Sequence, residues 1–290
     1  MEQIISKKIA ELALKSMLYE VVTAPKPGLV DSYNTGSHKD MDVFTFIDSS
    51  ISLYPYMYKC SRLGYRYGRN NPDELFKYLR DIGIKAERVM FSATKGVNTQ
   101  KGLIFILGII CANAARQISS DNKIYIGELC RLSSNMVQGI VDRELVYLDK
   151  TKKPDKLTAG EIIYLKYGIT GIRGEVENGF PTVRKYGLPK LYSSLDRGLS
   201  LNNAFVNTLL QIMIYAEDTN VVWRGGMEAL ELMQNSAKKA VNLGGITTTK
   251  GKNAIEKMDR LFIEKTISPG GSADLLAATI MFYLLDREFN

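Results

Sequence analysis

The sequence predicts an all-α fold: a single multi-helix globular domain over residues 1–290, with an active-site cleft lined by glycine-rich loops. Three observations lead there. Apolar residues recur at three- and four-residue spacing through most of the chain, which gathers them on one side of a helix. No alternating run bounded by hairpin signals competes with that period. Glycines are collected with charged and amide residues into five dense islands rather than spread among single turns.

The elements follow from local signals. Ile5, Ile9, Leu12 and Ser16/Met17 open an amphipathic helix that ends before Pro25. A second runs over about 42–66, where Pro55 is positioned to kink or split it. Asn71-Pro72-Asp73-Glu74 is a start signal: a capping side chain, a proline whose missing N–H is harmless, then acids facing the positive helix end. Leu75, Leu79, Ile82, Ala86 and Val89 then trace one face. Thr158 and Glu161 have capping-box spacing ahead of IIYLKY. Further helices are expected near 102–118, 124–145, 202–217, 226–243, 252–265 and 272–288, with an exposed basic excursion at 149–156.

Composition bounds the function. With 45% hydrophobic and 24% charged residues, the chain has the make-up of a soluble globular protein. Its formal charge of +7 suits anionic partners, although solubility alone accounts for such a surplus. Cys60, Cys111 and Cys130 form no C-x-x-C pair and point to buried thiols in a reducing compartment. The amphipathic start carries no signal-peptide pattern. The apolar run 102–115 is shorter than the ~20 residues a membrane span needs. A cytoplasmic location with no membrane partner is expected.

The islands are 25–42 (PKPGLVDSYNTGSHKDMD), 95–102 (KGVNTQKG), 168–181 (GITGIRGEVENGFP), 217–226 (EDTNVVWRGG) and 268–274 (SPGGSAD). Loops converging on one pocket account for them better than isolated turns do. In SPGGSAD, Gly270 and Gly271 free the backbone and Ser272 is placed to cap a helix whose first amides then face an anion. In EDTNVVWRGG, Asp218 reads as the end of a helix, against the macrodipole, as metal ligands or catalytic acids often are; an Asx-turn is the alternative. Glu175 and Glu177 reach one ion only from an extended loop. The lone His38 excludes His-rich zinc sites, leaving oxygen-ligated Mg²⁺ as the metal this composition could hold.

Taken in order and spacing, the five islands resemble the triphosphoribosyl-dephospho-coenzyme A synthases, from about residue 10 to the C-terminus. That family makes the prosthetic-group precursor of citrate lyase and malonate decarboxylase. One departure stands out: Gln100 occupies the position where the family usually has His, and Gln carries no titratable proton. The resemblance implies that ATP and 3′-dephospho-CoA are the substrates and that adenine is released. The acceptor's ribose 2′-hydroxyl attacks C1′ of ATP with inversion, through an oxocarbenium-like state.

That chemistry asks for a proton acceptor, cations for the triphosphate and negative charge near C1′. On this basis Lys26, Lys39, Asn98, Lys101, Arg173, Asn220 and Arg224, with the Gly270–Ser272 turn, are assigned to substrate binding. Asp31, His38, Asp40 and Asp42 are candidates near the reacting sugars. Glu175, Glu177, Asp218 and Asp274 are candidates for Mg²⁺. A nucleotide N-glycosidase is the first competing reading. A helical module binding nucleic acid without chemistry is the second, and the scatter of basic residues among acids argues against it.

Overall fold

The computed structural model describes residues 1–68, 71–147 and 157–290. The expected basic excursion at 149–156 lies outside the described residues. Among those described, every regular element is helical: α1 (Glu2–Val22), α2 (Val43–Tyr67), α3 (Pro72–Ala93), α4 (Lys101–Asp121), α5 (Ile126–Val137), α6 (Ala159–Tyr167), α7 (Gly171–Glu177), α8 (Leu188–Asp196), α9 (Leu201–Tyr215), α10 (Thr219–Asn242), α11 (Thr249–Glu264) and α12 (Gly270–Phe289). Short π or 3-10 turns fall at Asp142–Val146, Val183–Gly187 and Gly245–Thr247.

The start signals act as their chemistry dictates. Asn71 accepts the Asp73 N–H at the head of α3, and Thr158 with Glu161 forms the capping box of α6. Pro55 does not split α2, which continues across it.

Two apolar helices, α4 and α12, form the centre. α4 packs against α1, α2, α3, α5, α7 and α12, while α12 reaches α1, α4, α8, α9 and α10. Leu107, Ile110, Cys111, Ala277, Ile280 and Met281 are fully buried. Each of the leucine, isoleucine and methionine side chains among them stabilises the fold by about 1.5–3 kcal/mol relative to exposure. Gly64 lets α2 approach closely, since a Cβ there would stand 2.0 Å from the Ala112 carbonyl oxygen. All three cysteines are buried free thiols.

Three expectations need correction. α4 continues past Ala115 to Asp121, so at 21 residues it is long and apolar enough to cross a membrane. Its apolar stretch is 83% buried inside the protein, as befits a core helix. The helix expected over 124–145 stops at Val137, because Gly139 takes a positive φ of 76°, and resumes as a π turn. The helix expected from residue 226 begins at Thr219, with an interior break at Gly226 (φ 69°, ψ −167°) that only glycine adopts easily.

Candidate active site

The first turns of α4, α10 and α12 converge on two adjoining cavities of about 450 and 310 Å³. Both are lined by Asn98, Lys101, Gly102, Asn220 and Asp274, so these residues mark the junction. The larger lobe is walled by α7, by Pro181 and Thr182, and by Ala216–Thr219. The smaller is walled by Lys26, Val30, His38, Asp40, Gln100, Trp223, Arg224 and Ser268. All five glycine islands therefore contribute lining residues. Three positive helix ends face this space, a favourable setting for phosphate groups.

Asp274, one turn into α12, lies at the junction with its carboxyl against α4. A Cβ on Gly102 would stand 1.9 Å from Asp274 Oδ2, so the glycine is what admits the carboxyl. Protein surrounds the side chain except for a strip facing the cleft. Burial pushes its pKa well above the ordinary aspartate range, and the nearby Glu20 and Asp218 carboxylates push it further.

Asp218 has a different job from the one its sequence context suggests. α9 ends at Tyr215, and Asp218 is the N-cap of α10, so it sits with the helix dipole rather than against it. Its Oδ1 accepts the Asn220 and Val221 N–H groups at 3.0 and 3.3 Å. Its Oδ2 accepts the Ser272 N–H at 2.7 Å and the Ser272 hydroxyl at 2.9 Å. One buried carboxylate thus joins the heads of α10 and α12. The Gly270–Ser272 turn is consequently not an open anion cradle: the Ser272 amide is taken by Asp218. Ser272 also does not cap α12, whose N-cap is Pro269.

Glu175 and Glu177 lie on the helix α7, not in an extended loop, and diverge as residues two apart on a helix must. Glu175 accepts from the Thr182 N–H (2.8 Å), the Thr182 hydroxyl (2.9 Å) and the Val183 N–H (3.3 Å). Burial nevertheless raises its pKa. Glu177 does not line the cleft; its backbone carbonyl accepts the Ser134 hydroxyl. The four carboxylates named for Mg²⁺ therefore do not fit a shared site. Two are filled by hydrogen bonds, one faces elsewhere, and Asp274 alone offers its oxygens to the cleft. Among the described residues, no group of three or more His, Cys, Asp or Glu side chains is arranged to hold a metal ion.

The 25–42 loop divides between wall and scaffold. Asp31 is buried and organises the loop by accepting N–H groups of Lys26, Tyr33 and Asn34, at 2.7–3.0 Å; it does not face the cleft. Asp42 is an exposed N-cap of α2, in a capping box with Thr45 that lowers its pKa, and stands outside the cleft. Lys39 is exposed and lines neither lobe. Asp40 does line the smaller lobe, 3.8 Å from His38 Nδ1. His38 Nε2 shares a hydrogen bond with Ser268 Oγ at 2.7 Å. Burial, and then the Arg224 charge, lower its pKa and favour neutral imidazole.

Among the cations, Lys26 is 2% exposed and ion-paired with buried Glu20, so it neutralises a carboxylate rather than standing free. Lys101 faces both lobes and pairs with Glu87 at 3.0 Å. Arg173 lies outside both lobes, paired with Glu144 at 2.7 Å in a neighbouring cavity. Arg224 is exposed in the wall of the smaller lobe. Gln100, the N-cap of α4, is held by Ser49 and Ser50, whose hydroxyls lie 2.7 and 2.9 Å from its amide. The position acts as a buried polar anchor.

Sequence reasoning missed Glu20, Gly102 and Asp259, which accepts the Gly28 N–H at 2.9 Å and steadies the loop. For Glu20 a signal existed: it continues the Ile9, Ala13, Ser16 stripe, where a carboxylate has no place without a partner.

The profile of the ATP:dephospho-CoA triphosphoribosyl transferase family matches residues 6–290. A Vibrio cholerae protein named probable 2-(5′′-triphosphoribosyl)-3′-dephosphocoenzyme-A synthase is 41% identical over 285 residues, covering 97% of this chain and 89% of its own. Relatives of the same name from Malonomonas rubra and Lactiplantibacillus plantarum are 39% and 41% identical, covering 98% and 96% of this chain and 89% and 97% of theirs. No solved structure matches the chain. The chain belongs to the ATP:dephospho-CoA triphosphoribosyl transferase family.

Proposed function

We propose that the protein transfers the triphosphoribosyl group of ATP to the ribose 2′-hydroxyl of 3′-dephospho-CoA, releasing adenine. The product is then the precursor of the prosthetic group of citrate lyase or malonate decarboxylase, made in the cytoplasm. The observation that carries this reading is the junction: two lobes, room for two nucleotides, and Asp274 where they meet. The bond formed joins O2′ of the acceptor to C1′ of the donor ribose, and the bond broken joins C1′ to the adenine nitrogen. Asp274 accepts the hydroxyl proton, departing adenine takes one proton from water, and the carboxyl later returns its proton to solvent, so protons and charge balance. A carboxyl held above its ordinary range is a stronger base once ionised than a typical surface aspartate.

Lys101, Arg224 and the positive end of α4 hold the phosphates, with Asn98 and Asn220 as donors at the junction. Asp218 is a positioning residue that fixes the heads of α10 and α12. Mg²⁺ enters as part of the Mg·ATP substrate, its charge matched chiefly by phosphate oxygens. His38 and Asp40 form a polar wall beside the sugars.

The experiment is mass-spectrometric. Adenine is expected slowly or not at all from ATP and Mg²⁺ alone. Adding 3′-dephospho-CoA should accelerate its release in step with triphosphoribosylated product, because holding both reactants in line supplies up to ~7–11 kcal/mol of barrier reduction. A 2′-deoxy acceptor should give no product. Rapid adenine release without acceptor means a hydrolase instead.

Gly102 supplies a second test. An alanine there must displace the flexible end of Asp274, since 1.9 Å is no contact distance, while alanine itself favours the helix. Gly102→Ala should therefore slow transfer by about 100-fold, the cost of misplacing a reacting group by about 1 Å. Its unfolding midpoint should hold. Wild-type turnover in this variant would remove Asp274 from the chemistry.

A further inference from the structure

A third cavity, of about 390 Å³, lies between α3 and α4 and plays no part in the scheme above. Phe76, Leu79, Ile84, Ile104, Phe105 and Ile109 make its wall apolar. It is not isolated. Lys101, Gly102 and Ile172 line both this cavity and the larger lobe of the cleft, so the two communicate beside Asp274.

Gly83 gives an independent reason to read this space as a ligand's. It lies inside α3, where glycine is the poorest residue after proline. Its backbone needs no positive φ. The protein does not need the missing side chain either: a Cβ would meet only Tyr56 Oη at 3.5 Å and Ile104 Cγ2 at 3.9 Å, ordinary contact distances. Glycine therefore serves neither a turn nor a close helix approach here, and what it leaves is room in the cavity. Ile84 beside it is 48% exposed, an apolar side chain left without cover at the rim.

The mouth is charged where the interior is not. Glu144 bridges Arg80 and Arg173, and Glu87 pairs with Lys101. A fitting occupant is thus long, with apolar segments inside the cavity and an anionic end at the cleft. Resting on the transfer reaction proposed above, we infer that this cavity receives the pantetheine arm of 3′-dephospho-CoA, with the acceptor's diphosphate at Lys101 and Arg173. The arm then threads past Gly102, and the 2′-hydroxyl on the same molecule is brought toward Asp274. The volume lies within the 300–1,000 Å³ usual for small-molecule sites.

The test fills the cavity from α3. In purified full-length protein, KM for 3′-dephospho-CoA should rise in the order Gly83, Gly83→Ala, Gly83→Leu, by about tenfold or more for leucine. KM for ATP should stay within about twofold, and the unfolding midpoint should not fall, since both replacements favour helix. Equal KM values for 3′-dephospho-CoA in wild type and Gly83→Leu would overturn the inference. So would a parallel rise in both KM values with the midpoint unchanged. Should leucine lower the midpoint, Ile84→Asp decides, because that half-exposed position tolerates a charge. A selective rise in KM for 3′-dephospho-CoA upholds the arm site, and no change overturns it. Absence of product from the wild type with both substrates is a different failure, that of the transfer reaction itself.

Discussion

Replacing Asp274 with asparagine is expected to slow transfer by about 10²–10⁴-fold, the range for loss of a general base, while making the protein more stable at neutral pH. The two effects share one cause. Burial first, and then the charges of Glu20 and Asp218, hold the Asp274 pKa above its unfolded value, which is ~3.9 for a free aspartate. The folded state therefore binds this proton more tightly than the unfolded state. The resulting stabilisation is present below the unfolded pKa and is lost as pH rises through the window up to the raised folded value. Asparagine is isosteric and has no such proton to lose. Unfolding midpoints should therefore diverge with rising pH, the variant ending above the wild type at pH 7–8. Wild-type kcat/KM should climb over the same window as the carboxyl ionises. Parallel midpoint curves would show that Asp274 carries no unfavourable charge in the fold, and an active variant would show that it is not the base. A gain in stability on losing a catalytic group is the usual mark of a site held under electrostatic strain.

The helices were legible because their signals are local. Asn71 ahead of Pro72, and Thr158 with Glu161, lie within one turn of the ends they specify, and the structure uses both as caps. Asp218 was misread for the opposite reason. The glycine pair at 225–226 looks like a helix stop, which hid the short capped stretch from Thr219 and made Asp218 appear to close the preceding helix. α8 was missed although Pro189 stands in its first turn and Leu188, Leu191 and Leu195 share a face. The glycine-rich flank on its N-terminal side suggested loop. Residues 171–177, whose glycines likewise suggest a loop, form α7.

At the site, sequence identified which stretches gather but not which carboxylates remain available. That depends on long-range hydrogen bonds such as Ser272 to Asp218, 54 residues apart, which no local pattern reveals. Counting acids therefore suggested a metal cluster, whereas hydrogen bonding has already engaged Asp31, Asp42, Glu175 and Asp218 as structural acceptors. What is left is a cleft in which Lys101 and Arg224 stand near the head of α4, with Asp274 at the junction free of the hydrogen bonds that engage those four acids. That arrangement suits a reaction in which polyanionic substrates must be held while a cation develops at one carbon.

The same balance makes the buried Glu20–Lys26 pair a sensitive point of the scaffold. Glu20 is 3% and Lys26 2% exposed, and burial raises the Glu20 pKa against the lowering effect of Lys26. Taking one partner from a buried pair costs about 3–5 kcal/mol, because the remaining charge is left in a poor solvent. Lys26→Met keeps the apolar stem and the backbone N–H to Asp31 while removing only the ammonium. At about 2–4 °C per kcal/mol for chains of this order of size, its unfolding midpoint should fall by roughly 6–20 °C. The double variant Glu20→Gln/Lys26→Met should recover most of that loss, since no uncompensated charge then remains. Glu20→Gln alone should ease the repulsion on Asp274 and shift the rise of kcat/KM to lower pH, because Glu20 is the first of the two charges that raise the Asp274 pKa. Calorimetry on the two single variants and the double closes the cycle. A double variant as unstable as Lys26→Met would mean that the lysine acts through packing, and an unshifted pH profile would remove Glu20 from the electrostatics of the base.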